Sequence, residues 1–177
     1  AFVDNVGNAE VTGIELSLDY AINDTTSLTY YFNGVDSTLA NDYYQEGALY
    51  ASSGNRLAYI PEISAYVSLD KDFNLMGRSG YMNLDYSYTG DRAEDYADGA
   101  IILPSYGLAN FRTGIDFDNT SIELYVNNIF DKDGFLSIYD DFAELAPPER
   151  TSGYPGFGYR RTGSKPRVIG IRFRYRY

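Results

Sequence analysis

The chain has 177 residues with 25 acidic against 14 basic side chains, a net charge of -11. That balance excludes a nucleic-acid binder and a basic lipid-binding patch, which need an excess of cations. Histidine and cysteine are absent, which excludes Ser-His-Asp triads, His or Cys metal sites, thiol nucleophiles and disulfides.

No run approaches the roughly 18 consecutive apolar residues of a spanning helix. Aromatic content is nonetheless 16%, from 19 Tyr and 10 Phe, at a mean hydropathy of -0.34. Strands that place every second residue in hydrocarbon give this combination. Nothing in the composition marks a boundary, so residues 1–177 are read as one domain. The chain starts at Ala1-Phe2-Val3-Asp4 without a targeting signal, which reads either as a removed leader or as a piece of a longer protein.

Two-residue alternation predicts seven strands in chain order. The first sets Ile14, Leu16, Leu18 and Tyr20 against Gly13, Glu15, Ser17 and Asp19. The second alternates Leu28, Tyr30 and Phe32 with Thr29, Tyr31 and Asn33. A third, over 59–70, has Tyr59, Pro61, Ile63, Ala65, Val67 and Leu69 on its apolar side. The fourth has Met82, Leu84, Tyr86 and Tyr88 opposed to Tyr81, Asn83, Asp85, Ser87 and Thr89.

The fifth and sixth, over 106–117 and 120–130, are separated only by Asp118 and Asn119, residue types that tolerate the positive φ of a tight hairpin. That turn fixes a register: Phe117 faces Thr120, Ile115 faces Ile122, Thr113 faces Leu124 and Phe111 faces Val126. Apolar then meets apolar, and a one-residue slip would exchange the faces. The seventh strand carries Ile169, Ile171, Phe173, Tyr175 and Tyr177 on one side and Val168, Gly170, Arg172, Arg174 and Arg176 on the other.

Connections are short after the first block (21–26), long at 36–56, moderate at 71–79, then long at 91–103, tight, and long at 131–165. Outer-membrane barrels have short periplasmic turns and longer outer loops, so with a periplasmic C-terminus all three long segments fall outside. The fold class expected is all-β: an antiparallel transmembrane barrel segment of about seven meandering strands. A soluble sheet would need a second layer on its apolar face, whereas in lipid that face needs no partner and the backbone must be paired. Tyr20, Tyr59, Tyr88, Tyr106, Tyr175 and Tyr177 at the block ends fit interfacial girdles. An odd strand count is awkward for a closed barrel, which points to an open slice of something larger.

Three segments resemble the closing strands of TonB-dependent outer-membrane receptors. Asn5-Val6-Gly7-Asn8-Ala9-Glu10-Val11-Thr12-Gly13-Ile14-Glu15 is similar to the family's strand that enters on Asn-x-Gly-x-Ala and continues as Gly-Ile-Glu. Tyr125-Val126-Asn127-Asn128-Ile129-Phe130-Asp131 resembles its penultimate-strand signature, with Ile129 where Leu is usual, and Pro166-Arg167 before a terminal aromatic strand resembles its ending. The resemblance implies the last third of a barrel of about 22 strands with a plugged lumen. The plug and TonB-contacting segment lie N-terminal in that family, outside this chain. It further implies TonB-energised uptake of a scarce nutrient, foremost a ferric siderophore, with outer-membrane lipid, the TonB complex and the barrel-assembly machinery as partners. A complete small barrel of structural or adhesive role and a passive porin are the alternatives.

No cofactor, metal ligand or catalytic group is assigned. Asp140, Asp141 and Glu144 can be imagined as a carboxylate pair but read better as solvated loop charge. Asp131-Lys132-Asp133-Gly134 opens like a calcium loop, yet its Gly comes too early, and Gly153, Gly156 and Gly158 lack the strand and helix of a phosphate cradle. Loop aromatics Tyr43, Tyr44, Tyr50, Tyr96, Tyr139, Tyr154, Phe157 and Tyr159, with Arg92, Arg150, Arg160 and Arg161, are candidates to meet a ligand or to pack the loops. The row Arg172, Arg174 and Arg176 must face the lumen. It either meets a plug or pairs with neighbouring acids, Glu123 being expected near Arg174. Phe173, Tyr175 and Tyr177 form the candidate assembly signal.

Overall fold

A computed structural model describes residues 7–139 and 160–177, and every regular element within them is a strand. In chain order these are β1 (Ala9–Asn23), β2 (Thr26–Leu39), β3 (Tyr43–Gln45), β4 (Ala48–Ala51), β5 (Ile63–Leu75), β6 (Arg78–Thr89) and β7 (Arg92–Ala93). They continue as β8 (Ile102–Leu103), β9 (Tyr106–Phe117), β10 (Thr120–Asn127), β11 (Phe135–Tyr139), β12 (Arg160–Gly163) and β13 (Val168–Tyr175). The seven long strands make one antiparallel meander ordered β1-β2-β5-β6-β9-β10-β13, while the short ones pair as β3-β4, β7-β8 and β11-β12.

Register turns the alternation of each strand into continuous faces. Tyr20, Leu28, Leu69, Leu84, Phe111, Val126 and Ile169 stand opposite one another in succession, an apolar row across all seven strands. On the reverse face Ser27, Asp70, Asn83, Arg112 and Tyr125 form a polar row in the same way. The register expected across the Asp118–Asn119 turn is the one observed, with Asp118 at a φ of 40°.

Among the described residues no second layer covers the apolar row. Leu84 on a central strand is 47% exposed and Leu69 is 37% exposed, whereas a sandwich would bury both. Among the described residues, the fully buried large side chain is Leu103, in the loops and not in the sheet. At its margins, β1 bonds to β2 and β13 bonds to β10, and these two strands do not pair with each other. The sheet is therefore an open segment of barrel wall, which removes the complete small barrel that needed a pairing between the two ends of the chain.

Several expected boundaries move. The segment 71–79 is not a moderate loop: β5 runs on to Leu75 and turns at Met76-Gly77, both at positive φ (52° and 79°), straight into β6. Lys71 and Asp72 interrupt the polarity pattern but not the parity, which Phe73 and Leu75 continue. Conversely, Tyr59 and Pro61 lie outside β5, Tyr59 at a φ of 60° that extended strand excludes. The sixth strand ends at Asn127, since Asn128 has a φ of 52°.

With these corrections all three short connections, 24–25, 76–77 and 118–119, are two-residue turns on one rim. The connections 40–62, 90–105 and 128–167 share the opposite rim, and each carries its own small hairpin.

Candidate functional site

The polar face and the long-loop rim hold the side chains with chemistry. On the polar face Asn83, 4% exposed, donates through Nδ2 to Ser68 Oγ at 2.7 Å and to Asp70 Oδ1 at 2.7 Å. Its own Oδ1 accepts from Arg112 Nε at 2.9 Å. Nearer the short-turn rim, Glu123 accepts from the Tyr81 hydroxyl and from Arg172 Nη1 at 2.6 Å, and the Arg172 guanidinium lies 5.6 Å from the Tyr125 ring centre.

Glu123 thus pairs with Arg172, not with the expected Arg174, because the β10–β13 register sets Arg172 opposite Glu123 and Ser121 opposite Arg174. Arg174 and Arg176 share this face and make no side-chain hydrogen bond or ion pair among the described residues. A cleft beside the network is lined by Asp85, Arg112, Tyr125, Asn127, Ser164 and Arg172.

On the long-loop rim, connections 40–62 and 90–105 dock on each other. Tyr43, Tyr50 and Tyr96 meet edge to face, with ring centres 5.7 to 6.1 Å apart, an arrangement their quadrupoles favour. The Tyr50 hydroxyl donates to Asp95 Oδ2 at 2.6 Å, and burial followed by that carboxylate pushes its pKa up. Asp98 accepts from Asn55 Nδ2 at 2.7 Å and from the Ser52 amide and hydroxyl at 2.9 Å each, bonds that hold its carboxyl below the usual range. Arg56 bonds Asp91 at 2.8 Å and holds that carboxyl low as well.

A third connection joins this assembly. Arg92, 4% exposed, donates to the Phe135 carbonyl and to the Leu136 carbonyl at 3.0 Å, beneath the Tyr106 ring at 5.5 Å. The Tyr59 hydroxyl donates to the Ile138 carbonyl at 2.7 Å. Tyr59 and Tyr106 therefore belong to the loop assembly and leave the aromatic girdle expected at the strand ends.

Of the loop candidates, Tyr43, Tyr50 and Tyr96 come together, while Tyr44 is 59% exposed at the β3–β4 hairpin. Arg161 bonds Asp133 at 2.7 Å and lies 4.7 Å from the Phe135 ring centre. Tyr139 and Arg160 are backbone partners in β11–β12. Asp140, Asp141, Glu144, Arg150, Gly153, Tyr154, Gly156, Phe157, Gly158 and Tyr159 lie outside the described residues. Phe173 and Tyr175 stand exposed on the apolar face, and Tyr177 is fully exposed.

Sequence reasoning missed the role of Asn128. Its side chain is 4% exposed; Nδ2 donates to the carbonyls of Lys132 and Lys165 at 2.9 Å each, and Oδ1 accepts from the Lys132 amide at 2.9 Å. Asp131 accepts from the Arg167 amide at 2.8 Å. These bonds tie the two ends of connection 128–167 together, so Asp131 and Asp133 act as turn and ion-pair residues instead of opening a calcium loop. Among the described residues no group of three or more acids is placed to hold a metal.

Against known proteins, the model of the family described as TonB dependent receptor-like, beta-barrel, matches residues 1–129. A search of curated proteins gives no match. Solved structures similar to the chain include the ferric yersiniabactin uptake receptor FyuA of Yersinia pestis, at 18% identity and a TM-score of 0.72 over 97% of this chain and 24% of that one. The siderophore receptor PiuA of Acinetobacter baumannii matches at 19% identity and a TM-score of 0.72, over 98% of this chain and 22% of that one. The ferric-catecholate import receptor Fiu of E. coli K12 gives 21% and 0.63, over 93% and 20%. The chain thus spans less than a quarter of the length of each receptor. With the family model covering well over half of its residues, and the open wall of registered strands repeating that fold, the chain belongs to the TonB-dependent receptor β-barrel family.

Proposed function

We propose that residues 1–177 are a single domain piece, the closing third of the barrel of a bacterial outer-membrane receptor that imports a ferric siderophore with energy delivered through TonB. The observation that carries this reading is the division of the sheet into an uncovered apolar row and a hydrogen-bonded polar row. Such a wall separates hydrocarbon from a wet interior. The folds of FyuA, PiuA and Fiu, named for siderophore-type ligands, favour that ligand class.

In this reading the long-loop rim faces outward. Tyr44, Tyr139, Tyr154, Tyr159, Arg160 and Arg161 are then the candidates to meet the ligand, while Tyr43, Tyr50 and Tyr96 have their rings engaged with each other. Arg174 and Arg176 reach toward the plug, and Phe173, Tyr175 and Tyr177 address the barrel-assembly machinery.

The test is uptake of radiolabelled ferric siderophores by iron-starved cells with and without the full-length gene. Uptake is expected to vanish with the gene and with loss of TonB. Transport that survives loss of TonB would make the protein a passive pore.

A further inference from the structure

The apolar face carries four charged side chains within its described strands, and they are segregated by sign. Glu10, opposite Thr38, and Asp36, opposite Thr12, stand toward the long-loop rim. Lys71, opposite Thr26 and Met82, and Arg78, opposite Leu75, stand toward the short-turn rim. Arg78 is satisfied within the protein: it bonds Asp118 at 2.6 Å and lies 5.8 Å from the Phe117 ring centre.

Lys71 is not. It is exposed and makes no hydrogen bond or ion pair among the described residues, and its neighbours on this face along β5 are Leu69 and Phe73. Asp70 and Asp72, its neighbours in sequence, point to the opposite face by parity. The position is level with the Asp24-Thr25 turn, since the Asp72 amide donates to the Thr25 carbonyl at 2.7 Å.

A lysine on a lipid-facing strand is tolerated near an interface, where its methylene stem lies along apolar neighbours and the ammonium reaches for the headgroups. What an ammonium with three donors and no carboxylate partner meets at that depth is phosphate oxygen. We infer that Lys71 is a binding point for the phosphate of a phospholipid headgroup, preferably of an anionic phospholipid, and that it fixes the height of the sheet in the bilayer. The inference rests on the membrane-facing reading of the apolar face.

The experiment uses the full-length receptor in mild detergent with added phosphatidylglycerol, counting retained lipid by native mass spectrometry. Lys71→Met is expected to lower retention about fivefold, the loss expected for one surface cation. Lys71→Arg is expected to restore it, and excess inorganic phosphate is expected to leave it unchanged. Equal retention in Lys71→Met and the parent overturns the site, as does displacement by inorganic phosphate, which marks a free-anion site instead.

A spin label on Leu84→Cys separates the two levels of the argument. A label that collides with oxygen upholds the membrane face whatever the retention result, so that a failed retention test then removes the headgroup site alone. A label that collides with a water-soluble nickel chelate removes both.

Discussion

The barrel wall and the long-loop assembly share one chain but are held together by different forces. In the wall each central strand satisfies its backbone on both sides, and one face is left apolar with no cover from the described residues. In the loops the ladders are hairpins of two to five residues per strand, joined by single backbone bonds such as Tyr59 to Ala93 and Asp98 to Tyr50, and much of the cohesion comes from side chains: the buried Leu103, Arg92 and Asn128 and the three half-buried tyrosines. The difference teaches that the wall depends on which solvent each face meets, while the loops depend on individual hydrogen bonds. Each can therefore be broken without the other.

The largest effect belongs to the wall. Leu84 lies midway along β6 in the seven-strand apolar row, so Leu84→Arg is expected to cost about 2 to 4 kcal/mol, the depth-dependent penalty of a cation in hydrocarbon. Ser27→Arg, exposed on the polar face opposite Asp70, is expected to change stability by less than about 0.5 kcal/mol. Folding of the full receptor into phospholipid vesicles against urea measures both. Equal costs for the two would mean that the faces do not meet different solvents.

The joint between wall and loops is Asn128. Asn128→Ala removes three side-chain hydrogen bonds, takes the partner from the Lys165 carbonyl and the Lys132 amide while the Lys132 carbonyl keeps the Ser164 hydroxyl, and puts a Cβ residue without a polar side chain at a φ of 52°. A cost of about 2 to 3 kcal/mol is expected. Amide hydrogen exchange should quicken at Lys132 and across the β10–β13 ladder while the β5–β6 ladder keeps its protection. Uniform quickening would deny that the loop neck is a separate unit.

That division also decides what was legible in the sequence. Parity is a local property, so the apolar and polar faces and the Asp118–Asn119 register could be read from residue order, because a one-residue slip would have put Ile115 and Ile122 on the wrong side. The loops could not be read this way. β3, β4, β7 and β8 are too short to show a period, and they exist because Asp98 and Arg92 dock one connection on the next. Glu123 falls between these cases: its face was legible, but its partner was not. The register of β10 against β13 is set across connection 128–167 by the clamp at Asn128 and Asp131, which no pattern within either strand records.

A smaller effect comes from the carboxylates of the loop assembly. Asp98 and Asp91 are held below the usual range, Asp98 by Asn55 and Ser52 and Asp91 by Arg56. A depressed folded pKa contributes stability that is present above the unfolded value, about 3.9 for Asp. That contribution is lost as pH falls through the folded value. Loop docking should therefore be constant from neutral pH down to about 4 and weaken only below it. Asp98→Asn should loosen the assembly at and above neutral pH, because a neutral amide loses the charge that strengthens all three bonds and turns a donor toward one of the partners. Near-ultraviolet circular dichroism of the packed tyrosines, taken as the difference between parent and variant, follows both. A transition near pH 6 would contradict the assignment.

The smallest expected effect separates burial from bonding at Tyr50. Tyr50→Phe keeps the edge-to-face contacts with Tyr43 and Tyr96 and removes only the bond to Asp95, a loss of about 1 kcal/mol. The ordinary phenol value is 10.0 and the folded one is higher, because burial and the nearby carboxylate both oppose the phenolate. A raised folded pKa contributes stability that is fully present below the ordinary value and lost as pH rises through the folded one. Loop docking in the parent should therefore survive past the ordinary phenol value and fail only at higher pH. Ultraviolet titration should show a phenol, absent in Tyr50→Phe, that ionises above the ordinary value. Because Tyr50 lies far from the apolar row, the wall should hold while the loops come apart, and coincident loss of the two would overturn the division between them.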